Sequence, residues 1–323
     1  MDRPARILLT GKGGTGKTTA AAALALGLAA RGIPVLVASL DPAHNLGDVL
    51  GVDLGDTPRE AAPGVLAREV DLGRLVRQHL AATRQALEER YRYLSAANLD
   101  PLLRLLGEAP GAEEQAAAEA LARLDRDAVA AGRVLVVDLP PSGQAWRILA
   151  LPSATAAWLA GLADLRRRIL DRRKTLHHVL GQETPARLPG GGDPAPADPE
   201  QDPVTARIAE GLSWHRRLAR ALSDPAATRL LAVADPGALS LLEADRLAAQ
   251  VGRRGISLAG LVLNRVREGT PAPGPDRLPE ALWNLPRAVL PELPGEPRGE
   301  ASLAPLAGPL LALLRFPGAG PMV

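Results

Sequence analysis

The stretch Arg6–Thr19, RILLTGKGGTGKTT, constrains this chain more than any other. Arg6–Thr10 is a short run of mostly branched apolar side chains, which suits a buried strand. Gly11–Thr18 follows with the spacing G-x-x-x-x-G-K-T, and the Ala/Leu-rich residues after it, 19–30, read as a helix. In such a strand–loop–helix the glycines Gly11, Gly13, Gly14 and Gly16 let the backbone wrap an anion with its N–H groups turned inward. The helix start adds further unpaired N–H groups and the positive end of its dipole. The spacing predicts a nucleotide cradle over Gly11–Thr19, Thr15 and Thr19 included. Lys17 is expected against the β- and γ-phosphates and Thr18 as a ligand of Mg²⁺.

Composition sharpens this reading. Of 38 basic residues only three are lysines, Lys12, Lys17 and Lys174, and two of them stand in the loop. A planar guanidinium does not replace a compact ammonium at a phosphate, so Lys12 is expected to serve there too. Net charge is only +2 and aromatic residues make up 2%, so no basic surface interleaved with aromatics is available and a nucleic-acid partner is not expected. Cysteine is absent, which excludes disulfides, thiolate metal sites and cysteine nucleophiles. The five histidines lack metal-ligand spacing, so no zinc site is expected. Arg3 and Arg6 lead straight into the first strand without a leader pattern. The uncharged stretches Ile148–Ala163 and Ala301–Leu314 are shorter than a membrane span and contain proline. These features predict a cytoplasmic protein without stable membrane insertion.

Pro34–Leu40, PVLVASL, reads as a second buried strand and completes a βαβ unit, hence a parallel sheet. It delivers Asp41-Pro42-Ala43-His44-Asn45-Leu46-Gly47-Asp48 to the carboxyl end of a core strand, where α/β proteins bind ligands. Asp41 there either polarises an attacking water, helps hold Mg²⁺, or caps a helix. Val65–Val70 is a third strand, and Leu72–Leu106 and Pro110–Ala131 follow as helices. Arg133–Asp138 is a buried strand ending in an acid, which places Asp138 to bind Mg²⁺ through water or merely to end the strand. Thr155–Leu180 reads as a helix with a solvated basic face, residues 184–203 as a Pro/Gly-rich flexible loop, and Val204–Leu222 as a helix. Strands at Thr228–Val233 and Ser257–Leu263 flank a helix over Ser240–Gly252, and Ala288–Leu293 is a last short strand. The expected fold is α/β: a doubly wound, mostly parallel sheet of about seven strands with a helical subdomain. The nucleotide-binding core is assigned to 1–71, 129–150 and 218–323, and the helical subdomain to 72–128 and 151–217.

The loop G-K-G-G-x-G-K-T-T resembles the deviant phosphate loop of the partition, nitrogenase-iron-protein and ArsA-like P-loop NTPases. DPAHNLGD is similar to switch I of the family that includes arsenical-pump-driving ATPases and tail-anchored-protein targeting factors. Asp138–Pro152 resembles its switch II: Asp138, Pro141, Gly143, Arg147, Leu149 and Pro152 match, whereas Leu139, Ser142 and Gln144 replace two threonines and a histidine. The resemblance implies ATP and Mg²⁺ as cofactors, with Lys12 reaching a phosphate across a dimer interface. It implies that Asp41 activates the lytic water and Asn45 contacts the γ-phosphate region. Asn264 matches an asparagine that reads the adenine edge, for which an amide offers both donor and acceptor. Residues 291–299 match a loop flanking the base, and Gly237 stands where a glutamate near the nucleotide would be. The implied activity is ATP hydrolysis by a nucleotide-switched homodimer acting on a protein or small hydrophobic client. Without cysteine, thiol-based arsenite binding is not expected, and Met1 and Met322 alone cannot make a methionine-rich groove. Two other readings keep the same loop: a partition or positioning ATPase dimerising on membrane or DNA, and a metabolite kinase.

Overall fold

The computed structural model describes residues 5–43, 45–90, 105, 111–180, 202–270, 273 and 277–314. In chain order these form β1 (Arg6–Gly11), α1 (Lys17–Ala29), β2 (Val35–Ser39), α2 (Leu46–Leu50), β3 (Arg59–Ala62), β4 (Val65–Glu69), α3 (Leu72–Arg90), α4 (Ala112–Ala130), β5 (Val134–Asp138), α5 (Ser142–Leu180), α6 (Pro203–Ser223), β6 (Thr228–Ala234), α7 (Ala238–Gly252), β7 (Leu258–Val266), a 3₁₀ turn (Glu280–Leu282), β8 (Arg287–Pro291) and α8 (Gly299–Leu314). The expected loop over 184–203 lies outside the described residues up to 201, as does the helix expected beyond Arg90.

The strands make one sheet in the order β3-β4-β2-β5-β1-β6-β7-β8. Every pair is parallel except β3 with β4. The fold is thus the expected α/β sheet, with eight strands in place of about seven. The strand without a sequence signal is β3, REAA, a polar edge strand whose pairing to β4 supplies what its composition does not. The core strands read as continuous apolar runs because both faces are covered. Ile7, Leu9, Val35, Val37, Val134 and Val136 join one cluster with α1 and α8. Their alternates Leu8, Leu36, Leu135 and Val137 are equally buried, where α4 packs on β5 and β2 and α7 on β6 and β1.

α1 is buried around its whole circumference, with Ala20–Ala25 fully inaccessible. Small side chains permit this, because α8 lies directly against it: a Cβ at Gly27 would come within 2.7 Å of the Ala307 Cβ. The uncharged 301–314 stretch is therefore a core helix, with Leu303, Leu306, Leu310, Leu311 and Leu314 buried despite Pro305 and Pro309.

Two compact units divide the chain: Met1–Val76, Pro110–Ala150 and Ala221–Val323 form one, Arg77–Ala109 and Leu151–Arg220 the other. Of the span 72–128 expected in a helical subdomain, 77–109 falls in the second unit, whereas 72–76 and 110–128 fall in the first. α4 buries Ala116–Ala118, Ala120, Leu121, Leu124 and Ala128, and it packs on the sheet. A correction concerns α5, which begins at Ser142 and not near Thr155. The Pro141 carbonyl accepts the N–H groups of Gln144 and Ala145, so Ser142–Pro152, most of the segment that resembles switch II, forms the start of this helix. Pro152 lies inside α5 without ending it.

In the second unit the expected basic face is only partly solvated. Arg166 donates two hydrogen bonds to Asp202, at 2.8 and 3.0 Å, and Arg167 pairs with Asp164. Asp202 also accepts from the N–H groups of Val204 and Thr205 and from the Thr205 hydroxyl, capping α6 ahead of Pro203. By length and composition one described helix, Ser142–Arg172, could cross a membrane; 28% of its most apolar window is buried within the protein.

Candidate functional site

The strand order reverses at β1: the chain moves to β2 on one side, and after β5 it crosses to β6 on the other. In doubly wound sheets ligands bind at such a point. The phosphate loop leaves β1 there, at the carboxyl end of the strand. Its glycines answer to specific crowding. A Cβ on Gly11 would lie 2.0 Å from the Val233 carbonyl oxygen on β6. Gly16 has φ +88° and precedes α1, and a Cβ on it would meet the Asn264 Nδ2 at 2.1 Å. Thr15 is buried, and its hydroxyl donates to the Lys12 carbonyl at 2.9 Å, which closes the loop on itself.

Three strand ends converge on this loop. β2 and β5 pair with Ser39 opposite Asp138, and β1 and β5 with Leu9 opposite Asp138. Thr18 donates to Asp138 Oδ2 at 2.7 Å and Ser39 donates to the same oxygen at 3.1 Å. Asp138 is wholly inaccessible, and its other oxygen, Oδ1, is buried with no hydrogen-bond partner. Burial is the main cause that pushes its carboxyl up to about 6, opposed by the Thr18 hydrogen bond and the Lys17 charge. An orphaned carboxylate oxygen beside a threonine hydroxyl is a hard-oxygen donor set, which fits Mg²⁺.

Asp41 follows β2. Its N–H donates to the Ser39 hydroxyl at 3.2 Å, and its Oδ1 accepts the Ala43 N–H at 3.1 Å. Its Oδ2 lies 3.5 Å from the Lys17 ammonium, a cation that is 5% exposed. The downstream end of this segment is anchored separately. The Gly47 N–H, in the first turn of α2, donates to the buried Glu69 carboxylate on β4 at 2.8 Å. Asn45 sits exposed between these two anchors. Thr10 donates to the Pro140 carbonyl at 3.1 Å and so ties the switch II backbone to β1.

A cavity of about 700 Å³ brings together Gly13, Gly14, Gly16, Lys17, Thr18, Thr19, Asp41, Asn45 and Asn264. Gly11 and Thr15 lie buried behind it, and Asp138 lies beneath Thr18. It is lined also by Arg265 and, from the 291–299 segment, by Pro291, Glu292, Leu293, Glu296, Pro297 and Arg298. Asn264 donates through Nδ2 to the Thr15 carbonyl at 2.8 Å, so one of its donors is committed to the loop backbone. Lys12 is not among the lining residues. It borders a separate recess of about 410 Å³ with Gly13, Pro141, Ser142, Glu243 and Arg246. Among the described residues no group of three or more His, Asp or Glu side chains forms a metal cluster.

Three residues beside the site are not singled out by sequence reasoning. Ser39 carries only the signal of a polar residue ending an apolar strand. Glu69 ends β4 and looked like any strand-terminal acid. Arg265 gave no signal, because its conformation is a property of the strand register.

A family model for anion-transporting ATPases, the ArsA family, matches residues 5–276. An uncharacterised protein of Streptomyces coelicolor is 35% identical over 94% of this chain and 75% of its own length. The Chlamydomonas reinhardtii ATPase ARSA2 is 29% identical over 80% of this chain and 67% of its own. The Escherichia coli arsenical pump-driving ATPase is 28% identical over 92% of this chain but only 45% of its own length. A phosphate loop at the strand-order reversal of a mostly parallel sheet, with Asp41 and Asp138 beside it, agrees with that match: the chain belongs to the ArsA-type, anion-transporting ATPase family of P-loop NTPases.

Proposed function

We propose that this chain is a nucleotide-switched ATPase, hydrolysing ATP to ADP and phosphate to drive a conformational change that acts on a client. The supporting observation is the Asp41–Lys17 pair at 3.5 Å on the cavity wall. A carboxylate already rests against the ammonium that would receive the γ-phosphate, so anion arrival and movement of Asp41 are coupled by charge.

In this reading the loop N–H groups of Gly13–Thr19 and the Lys17 ammonium hold the phosphates. Asp41, released from Lys17, orients the water in line with the γ-phosphorus and accepts its hydrogen bond. Thr18 and, through water, Asp138 would hold Mg²⁺, which neutralises charge developing on the phosphate oxygens. Asn45 reports the γ-phosphate to α2, and Asn264 presents its free amide edge to adenine. Lys12 reaches the phosphates of a second copy in an ATP-bound homodimer, consistent with its place outside the main cavity. The client is a protein or a small hydrophobic molecule, and the setting is cytoplasmic. The absence of cysteine removes thiol chemistry as a means of holding arsenite. The test is Mg²⁺-dependent phosphate release by the purified chain. Turnover is expected in the wild type, with a fall of at least about 100-fold in Lys17→Ala and in Lys12→Ala. A wild-type chain that neither binds nor hydrolyses ATP contradicts the proposal.

A further inference from the structure

β7 and β8 pair in register through Leu263 opposite Val289, and pairing resumes at Val266 opposite Pro291. Three steps along β7 match two along β8, so one extra residue is accommodated at Asn264–Arg265. Arg265 takes the strain: its φ is +58°, the sole positive value for a non-glycine among the described residues. Glycine is the ordinary occupant of that conformation in a bulge, since any Cβ is crowded there. The ladder is restored immediately afterwards, where the Glu292 N–H donates to the Val266 carbonyl at 3.0 Å.

The bulge separates two neighbours that a regular strand would alternate. Asn264 is buried and bonded to the Thr15 carbonyl of the phosphate loop. Arg265 is exposed, lines the same cavity, and its guanidinium makes no hydrogen bond or ion pair with the described residues. No partner among the described residues accounts for a flexible cation at a strained backbone position. Sparsely populated backbone conformations of this kind gather at ligand sites. With Arg265 the cavity is lined by Pro291, Glu292, Leu293, Glu296, Pro297 and Arg298, and by no aromatic side chain. A nucleobase there lacks an aromatic platform. A guanidinium plane is the alternative surface on which a π-face stacks.

We propose that Arg265 is the base-binding residue of this site, held in the left-handed conformation by the β7 bulge so that its guanidinium lies against the face of the purine. This rests on the ATPase reading and adds the residue that distinguishes a nucleotide from bare polyphosphate. Stacking on a π-face is indifferent to exocyclic groups, so Arg265 supplies affinity for a purine over a pyrimidine, while any preference for adenine over guanine is left to the Asn264 amide edge.

The experiment compares binding of ATP and of inorganic tripolyphosphate, each with Mg²⁺, by calorimetry and competition. The wild type, Arg265→Ala and Arg265→Gly are measured together with their thermal unfolding. Arg265→Ala is expected to weaken ATP by about tenfold, the size of one base-stacking contact, and to leave tripolyphosphate within about twofold. Arg265→Gly is expected to lose the same ATP affinity while unfolding at a temperature no lower than the wild type, because glycine accepts the positive φ. Unchanged ATP affinity in either variant overturns the assignment, and so does an equal loss for both ligands, which would place Arg265 at the phosphates. Failure of the wild type to bind ATP at all refutes the ATPase reading, and is distinguished from these outcomes by the wild-type arm alone.

Discussion

Replacing Asp138 by asparagine should stabilise the nucleotide-free protein while abolishing its turnover. Asp138 is wholly buried, with Oδ1 unpartnered and its carboxyl raised to about 6, burial being the main cause. Against an ordinary carboxyl near 3.9, a rise of roughly two units means that keeping the group ionised at pH 7.5 costs about 3 kcal/mol. The Asp138→Asn change removes that charge. The Thr18 and Ser39 hydroxyls still find a carbonyl acceptor, whereas the amide Nδ2 takes the place of the unpartnered Oδ1 and is buried without an acceptor, at a cost of about 1–2 kcal/mol. The net expectation is a gain of about 1–2 kcal/mol, or about 1–3 °C in unfolding temperature for a chain of this size. The assay is thermal unfolding at pH 7.5 with EDTA and no nucleotide, followed by Mg²⁺-dependent ATP turnover. Turnover should fall by at least about 100-fold, because a neutral amide lacks the charge with which the carboxylate would hold the hydrated cation. An Asp138→Asn protein that melts below the wild type would refute the reasoning, since the buried carboxylate would then be compensated from within the fold.

Glu69→Ala frees the Gly47 N–H and the downstream anchor of the Asp41–Asn45 segment. It should lower kcat by about tenfold with ATP affinity within about twofold, and Glu69→Gln should restore most of the rate; equal losses in rate and affinity would assign Glu69 a purely structural role. In the second unit, hydrogen bonds from Arg166 hold the Asp202 carboxyl well below the ordinary carboxylate range. Its folded value lies below its unfolded one, so its contribution is complete above about pH 5 and is lost as pH falls through the folded value. Asp202→Asn should therefore lower stability by about 2 kcal/mol at pH 7, a difference that narrows on acidification below about pH 4 in chemical-denaturation curves.

The legibility of this site in the sequence follows from where each constraint resides. Gly11, Gly16, Lys17 and Thr18 were readable because the loop closes within eight residues, and its chemistry is set by local spacing. Asp41 and Asp138 were readable because each ends a run of buried residues, and strand ends in a parallel sheet share one edge. The second half of the site depends on register. The positive φ of Arg265 arises from a mismatch between β7 and β8 that neither strand reveals alone. Glu69 acquires its role only when β4 pairs with β2 and sets it opposite Ser39. The misplaced start of α5 has a similar origin. Two consecutive prolines, Pro140 and Pro141, read as a loop, yet the Pro141 carbonyl opens the helix and its missing N–H costs nothing there. β3 escaped because an edge strand of polar residues carries no periodicity of its own.

Asp41→Asn tests the central claim most directly, with ATP binding and single-turnover hydrolysis measured on the same protein. The account predicts that the variant binds ATP at least as tightly as the wild type, because Lys17 no longer has a carboxylate 3.5 Å away competing with phosphate. It predicts hydrolysis slower by at least about 100-fold, because nothing orients the water. Hydrolysis at the wild-type rate, or loss of ATP binding in step with hydrolysis, would contradict it.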